Sequence, residues 1–155
     1  MQTQQGLKLE FLFHGDLTLD MPQNVGEGPH GNRQVIRVVS GTIDGPRIKG
    51  TTLPMSGDWL LLRTDGVGEL NVRSTIKTED DHLIYMHYDG VMHARPEVMQ
   101  AMFQGQPIKP EDLYLRMAAF FETSSPQYAW MNKLLAVGYA TVALPKFNLY
   151  LYAVD

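Results

Sequence analysis

The chain has 155 residues, 44% of them hydrophobic, which suits one domain spanning residues 1–155 with a sizeable core. Its net charge is −4 and its basic residues are scattered, so no nucleic-acid partner is expected. The absence of cysteine excludes a disulfide framework, a thiolate zinc site and a cysteine nucleophile. The sequence shows neither a signal-peptide pattern nor the roughly 20 apolar residues of a membrane span, so a cytoplasmic protein without membrane contact is expected.

The first half of the chain is dominated by strand patterns. Residues 21–32 carry two prolines and three glycines and are predicted to form a loop. Residues 40–53 are typical of a hairpin with Asp44-Gly45-Pro46 at its tip, and Asp89-Gly90 is predicted to be a turn. The remaining strands of this half are predicted at 7–19, 34–39, 59–63, 69–78 and 83–88.

The second half contains one predicted helix, PEVMQAMFQ, over residues 96–104. Pro96 suits the first helical position, Glu97 favours the positive end of the helix dipole, and Gly105 fits the stop. Residues 124–132 are predicted to be a structured loop, and strands are predicted at 114–122, 134–144 and 147–154. About eight to ten short strands with one short helix favour a closed barrel or a sandwich.

Six segments of the chain, taken in order, carry a family resemblance. They are LEFLF (9–13), GPHGNR (28–33), GTIDGPRIKG (41–50), GDWLLLRTDG (57–66), LNVRSTIKTEDDHLIYMHYDG (70–90) and FFETSSPQYAWMN (120–132). With them the chain resembles the family of domain of unknown function 3237, also called the UPF0311 proteins. This resemblance implies a mainly β protein with a single antiparallel calycin-like or allene-oxide-cyclase-like β-barrel. It also implies a homo-oligomer, and a lumen that can hold a small molecule.

The strand GELNVRSTIKT, residues 68–78, leaves two alternatives for the lumen. In the first, Leu70, Val72 and Ile76 fill the lumen and Arg73 is solvated outside. In the second, Asn71, Arg73 and Thr75 line the lumen, where Arg73 binds a ligand, and the apolar face is covered by the helix or a neighbouring subunit. Arg116 shares its face of the strand 114–122 with Tyr114 and Phe120 while the opposite face is apolar, which is typical of a strand covered on both sides.

The candidate chemical groups follow from these alternatives. Arg73 or Arg116 would bind a carboxylate or stabilise an enolate-like oxygen. Tyr85 or Tyr114 would exchange a proton, with His30 of the glycine-rich loop as one possible base. Asp58 follows a glycine and is either a turn residue or a second candidate base at the barrel mouth. The candidate walls of a ligand pocket are Asn71, Tyr85, Phe120, Tyr128 and Trp130, although Trp130 also suits a packing plug.

The sequence lacks the motifs of several common classes of enzyme and binding site. The five histidines show no metal-binding spacing, and the chain has no G-x-S-x-G elbow, dinucleotide fingerprint or P-loop. We therefore expect no metal and no cofactor. Acid/base chemistry on a small hydrophobic, aromatic or terpenoid-like molecule remains, as in an isomerase, cyclase or lyase. The alternatives are a non-catalytic barrel that binds such a molecule and a structural barrel with a filled core.

Overall fold

The computed structural model describes residues 6–155 and shows a closed antiparallel β-barrel. The N-terminal stretch that lacks a signal-peptide pattern includes residues 1–5, which lie outside the described residues. The strands are β1 (Leu9–Leu19), β2 (Gln23–Gly28), β3 (Gly31–Asp44), β4 (Lys49–Thr52), β5 (Gly57–Leu62), β6 (Gly68–Thr78), β7 (Leu83–His93), β8 (Tyr114–Glu122), β9 (Leu135–Ala143) and β10 (Lys146–Val154). Helix α1 spans Pro96–Phe103, and 3₁₀ segments span Pro110–Asp112 and Pro126–Lys133.

The barrel wall has eight positions. Neighbouring strands follow the order β1, β10, β9, β8, β7 and β6. The short strands β4 and β5 then share one position between β6 and β3, and β3 pairs with β1 to close the ring. Strand β2 pairs with β3 as a hairpin beside the wall. The prediction of a closed barrel of about eight to ten strands is thus confirmed.

Alternation along the strands decides what fills the barrel. On β6 the buried residues include Leu70, Val72, Ser74 and Ile76, and the residues between them face outward. Each fully buried aliphatic side chain stabilises the fold by about 1.5–3 kcal/mol. A slip of one residue would move this whole apolar set into water and would bring Arg73 into the lumen, so the register is strongly specified.

Two local predictions were wrong in an informative way. Residues 23–28, within the predicted loop, form β2 because they pair with the long strand β3. Asp89-Gly90 is not a turn but lies inside β7, which continues to His93. A Cβ atom at Gly90 would lie 3.1 Å from the Arg116 carbonyl oxygen and 3.3 Å from Leu70 Cβ. This glycine therefore serves close packing inside the wall rather than a reversal of the chain.

Both ends of the barrel are covered. Helix α1, predicted over 96–104 and found over Pro96–Phe103, buries Val98 and Met102. The 3₁₀ segment Pro126–Lys133 buries Tyr128 and Met131 at the opposite end. Strand β7, 11 residues long, runs between the two ends over about 35 Å. Over residues 6–155, none of the helices is long and apolar enough to cross a bilayer.

Candidate functional site

A cavity of about 650 Å³ lies in the lumen at the end that α1 covers. Three polar side chains line it, those of Asp20, Asp58 and Gln104. Among residues 6–155, its lining includes no arginine, lysine or histidine. The rest of its wall is apolar, and its main contributors are Ile36, Leu60, Leu70, Met92, Met102 and Phe147. Most of these side chains come from different strands of the barrel, so the site exists only once the ring is closed.

The register of three strands turns Asp58 into this cavity. Asp58 on β5 lies opposite Ile36 on β3 and opposite Val72 on β6, and both of these neighbours are buried in the lumen. The next residue, Trp59, is on the outer face and 40% exposed. Asp58, for which the sequence left a turn and the barrel mouth as alternatives, therefore faces the lumen.

The environment of Asp58 makes its carboxyl a stronger base than an ordinary aspartate. Burial raises the pKa of Asp58 from 3.8 to about 6, opposed by a hydrogen bond from the Asn71 backbone and by the charge of Arg33. The Asn71 N–H donates to Asp58 Oδ1 over 3.0 Å. This donor is free because β5–β6 pairing stops after Asp58↔Val72 and resumes only at Leu61↔Glu69.

Tyr88 lies in the same row of the barrel as Asp58. Asp58 pairs with Val72 and Val72 pairs with Tyr88, so the Cα atoms of Asp58 and Tyr88 are two strand spacings apart, about 10 Å. Burial, and after it the negative charge of Asp58, raise the pKa of Tyr88 above its usual range. Tyr88 therefore stays protonated and neutral at neutral pH, but it is not among the residues that line the cavity.

The structure places both candidate arginines on the outer face. The guanidinium carbon of Arg73 lies 5.9 Å from the Trp59 ring centroid. That of Arg116 lies 4.9 Å from the Tyr114 ring and 5.8 Å from the Tyr139 ring. Of the two alternatives for residues 68–78, the structure has the one with Leu70, Val72 and Ile76 inside. Neither arginine lines the lumen, and Asn71 contributes only its backbone N–H.

Other candidate residues lie on the outer face of β7 and β8. Tyr85, Tyr114 and Phe120 are exposed there. The His87 ring lies between Tyr85, at 5.9 Å, and Phe120, at 5.3 Å. We call the exposed aromatic surface across β7, β8, β9 and β10 the outer aromatic face, which is made by Tyr85, His87, Tyr114, Phe120, Tyr139 and Tyr150.

The remaining candidates are far from the cavity. Trp130 lies at the opposite end of the barrel, where the Arg47 guanidinium carbon is 3.7 Å from its ring centroid. The Tyr128 hydroxyl, at the same end, donates to Asp80 Oδ1 over 2.8 Å. His30 is exposed in the turn between β2 and β3. Of the residues selected from the sequence, the structure brings only Asp58 to the cavity.

Sequence reasoning missed Asp20 and Gln104 in the cavity wall, and it also missed Tyr88. Tyr88 is the one of the three for which a signal was available. It shares its parity on β7 with Ile84 and Met86, which are buried. This shared parity could have indicated that Tyr88 is buried. The signal was ambiguous because aromatic residues occupy both faces of this strand. No group of three or more histidine, aspartate or glutamate side chains within residues 6–155 is arranged to hold a metal ion.

Comparison with known proteins agrees with this architecture. A UPF0311 protein of Clostridium acetobutylicum is 33% identical over 126 residues, which cover 81% of this chain and 80% of that protein. A crystal structure of a conserved protein of unknown function from Rhodopseudomonas palustris matches with a TM-score of 0.93 at 25% identity, covering 98% of this chain and all of that one. An enzyme from Penicillium herquei shares the fold, with a TM-score of 0.75 at 20% identity over all of this chain and 99% of its own.

A family model adds the decisive observation. The model described as "Protein of unknown function (DUF3237)" matches residues 7–154, almost the whole chain. The segments that suggested the resemblance are spread over the same range. This chain therefore belongs to the DUF3237 family, which includes proteins named UPF0311.

Proposed function

We propose that the protein is a cofactor-free isomerase, cyclase or lyase that acts on a small hydrophobic, aromatic or terpenoid-like molecule in the lumen. The observation that carries the proposal is Asp58, a mostly buried carboxyl whose pKa is raised to about 6 in an otherwise apolar cavity. Carboxyl groups in clefts whose pKa is strongly shifted are typical of catalytic sites. A cavity of about 650 Å³ is also within the range of small-molecule sites.

The geometry supports an acid/base mechanism. At neutral pH most Asp58 side chains are ionised, and the carboxylate can take a proton from a C–H or O–H group of a bound molecule. The Gln104 amide, which lines the cavity, is the candidate donor for the oxygen on which negative charge develops, the role expected from the sequence for Arg73 or Arg116. Return of the proton from Asp58 to another atom completes an isomerisation. Loss of a leaving group completes an elimination, and attack by a second group of the same molecule completes a cyclisation.

The test is a reaction that needs only a base in an apolar pocket. In 5-nitrobenzisoxazole a base takes the ring C–H proton, the N–O bond breaks and a coloured cyanophenolate is released. We expect the protein to accelerate this reaction with a pH dependence that follows an ionisation near the pKa of Asp58, about 6. Asp58→Asn should reduce kcat/KM by at least about a hundredfold, the usual contribution of a positioned base.

Asp20→Asn is the matched control for this experiment. Asp20 also lines the cavity, but its hydrogen bond with Arg37 lowers its pKa, which makes it a weaker base. The Asp20→Asn variant should keep most of the activity. Equal rates for the Asp58→Asn variant and the unmodified protein, or no acceleration by the unmodified protein, would overturn the proposal.

The second candidate function is non-catalytic binding of the same class of molecule. The apolar wall of the cavity favours it, because apolar burial alone gives affinity. A binding protein would take up the neutral dye 1-N-phenylnaphthylamine equally well with or without Asp58, and would not turn over 5-nitrobenzisoxazole. The structural alternative with a filled core receives no support from a lumen that holds this cavity.

We also propose self-association through the outer aromatic face. Leu9, Val91 and Phe120 are 57%, 45% and 48% exposed on this side of the barrel. Arg116 and Asp89 line one hollow here, and among residues 6–155 neither has an ion-pair partner. Because one face carries both charges, a two-fold axis that passes between them can pair Arg116 of each copy with Asp89 of the partner subunit.

The extent of this surface sets the size of the proposed dimer interface. The outer aromatic face spans four neighbouring strands, β7 to β10, or about 14 Å. With the length of β7, about 35 Å, its projected area is about 500 Å². A standard stable interface buries about 800 Å² of each partner, so the proposed interface is smaller than the standard size, and exposed Leu9 on the neighbouring β1 extends its apolar surface.

A further inference from the structure

The charged side chains that line the lumen cavity are all of one sign. The carboxylates of Asp20 and Asp58 line it, Gln104 adds a neutral amide, and within residues 6–155 no basic side chain reaches its wall. Arg37 donates to Asp20 Oδ2 over 2.8 Å, and both of these side chains are largely exposed at the rim. Asp20 is therefore largely neutralised, and Asp58 sets the electrostatics of the interior.

The groups that face Asp58 do not cancel its charge. On β3, Arg33 donates to the Trp59 carbonyl oxygen over 2.8 Å, and its charge only partly offsets the effect of burial on Asp58. The Asn71 N–H on β6 is one dipole, and the Tyr88 hydroxyl on β7 is neutral. A carboxylate, sulfonate or phosphate entering the cavity thus meets an anion in a low-dielectric site, where like charges repel strongly.

We infer that the lumen selects neutral molecules that carry a hydroxyl or an activated C–H group and rejects anionic ones. Asp58 is the residue that sets this selection. The inference rests on the proposed function, since it names the substrate class of the same site. A neutral proton donor can form a charge-assisted hydrogen bond with the Asp58 carboxylate, whereas an anion cannot donate to it. Gln104 at the rim supplies a second polar contact for a carbonyl or hydroxyl group.

Two fluorescent probes of similar shape test the inference. 1-N-Phenylnaphthylamine is neutral, and 8-anilinonaphthalene-1-sulfonate is an anion. The Kd of the neutral dye should not rise between about pH 5 and about pH 8, because its N–H group can donate to the Asp58 carboxylate. The Kd of the anionic dye should rise by at least about tenfold over this range. The anion binds only when Asp58 is protonated, and above the pKa of Asp58 each pH unit lowers the protonated fraction about tenfold.

Variants separate the lumen from the surface. Asp58→Asn should abolish the pH dependence of the anionic dye and tighten its binding at about pH 8, whereas Asp20→Asn should leave the pH dependence in place. Ala118→Trp fills the hollow of the outer aromatic face and should not change either lumen Kd. Leu70→Trp fills the lumen and should remove the lumen binding of both dyes.

The outcomes distinguish this inference from the proposed function. If the anionic dye binds the unmodified protein with a Kd independent of pH and equal to that of the neutral dye, the inference fails. Asp58-dependent turnover of 5-nitrobenzisoxazole would then still support the catalytic proposal. If charge selection depends on Asp58 while turnover is absent, the inference stands and the protein is a binding barrel for neutral molecules. The inference is also overturned if Leu70→Trp removes no binding of either dye, because neither dye then binds in the lumen.

Discussion

Asp58 is a carboxyl group that folding moves from water into the lumen, and this transfer has an energetic cost. Its pKa rises from 3.8 to about 6 on folding, so between these values the folded state binds more protons than the unfolded state. The free energy of unfolding therefore falls as pH rises through this window. Above it, the ionised Asp58 reduces stability by about 3 kcal/mol relative to its protonated form.

We expect Asp58→Asn to remove this loss of stability. Asparagine keeps an oxygen that can accept from the Asn71 N–H but does not ionise. Urea unfolding at a series of pH values should show the unmodified protein losing about 3 kcal/mol between about pH 3 and about pH 7 through this group, and the variant losing none of it. The variant should therefore be the more stable protein at neutral pH.

Asp20→Asn provides the comparison for the pH series. Its hydrogen bond with Arg37 lowers the pKa of Asp20, so any contribution from Asp20 is lost as pH falls, the opposite direction to Asp58. The Asp20→Asn protein should keep the loss of stability toward neutral pH. Parallel stability curves for the Asp58→Asn variant and the unmodified protein would contradict the burial argument.

Among single residues, the sequence identified Asp58 as a candidate but not its surroundings. An aspartate after a glycine suits a turn equally well, and only the pairing of β5 with β3 and β6 shows that Asp58 faces the lumen. Tyr88 was missed because its role depends on a neighbour two strands away. Such a relation is set by register across the sheet, which a single sequence does not contain.

Among elements, α1 and the turn after β5 enclose a second hollow beside the lumen cavity. This hollow, of about 700 Å³, is lined by Leu62, Val67 and Met99 together with Phe103. Phe103 also lines the lumen cavity, so its ring lies between the two spaces. The length of molecule that the lumen accepts should therefore depend on this one side chain at the end of α1.

Phe103→Ala should join the two spaces and admit longer molecules. Straight-chain alcohols of increasing length can be tested for displacement of 1-N-phenylnaphthylamine. Each added CH₂ gives about 0.8 kcal/mol while it is buried, about a fourfold gain in affinity. In the unmodified protein this gain should stop at a shorter chain than in the variant.

Met99→Ala is the control for the alcohol series, because Met99 lines only the second hollow. It should leave the limiting chain length unchanged. The division of the two spaces by Phe103 is disproved if Phe103→Ala and the unmodified protein reach their limit at the same alcohol.

The strand patterns predicted where the strands lie better than they predicted which face of each strand points into the lumen. Alternation of apolar and charged residues identified β6, and the structure has its apolar set inside. On β8 the same reasoning could not choose, because Leu115 and Met117 on one face are as apolar as Tyr114 and Phe120 on the other. The exposed aromatics of β8 have the composition of core residues, and this similarity made Arg116 a candidate for the lumen.

At the scale of the whole molecule, the outer aromatic face predicts a dimer in solution. Arg116→Glu should dissociate it, because two carboxylates, Glu at 116 and Asp89 of the partner subunit, would face each other in a desolvated interface. Sedimentation velocity should show the unmodified protein as a dimer and the variant as a monomer. Adding Asp89→Arg to Arg116→Glu should restore the dimer by exchanging the two charges.

Arg47→Glu is the matched control for the dimer experiment. Arg47 is also an exposed arginine over an aromatic ring, that of Trp130, but it lies at the end of the barrel and not in the hollow that contains Arg116. This variant should sediment as the unmodified protein does. A monomeric unmodified protein, or dissociation by Arg47→Glu to the same extent, speaks against the proposed interface.

The closure of the ring has a consequence for how the protein is made. His14 on β1 and Asn148 on β10 are 134 positions apart in the chain, yet His14 Nε2 and Asn148 Oδ1 lie 2.8 Å apart across the closing pair of strands. During synthesis β1 emerges first, and one of its edges stays unpaired until β10 has left the ribosome. The nascent chain thus has no lumen to occupy and carries an open strand edge that other chains can pair with. Interrupted synthesis should therefore yield aggregation-prone fragments rather than a weaker binding protein.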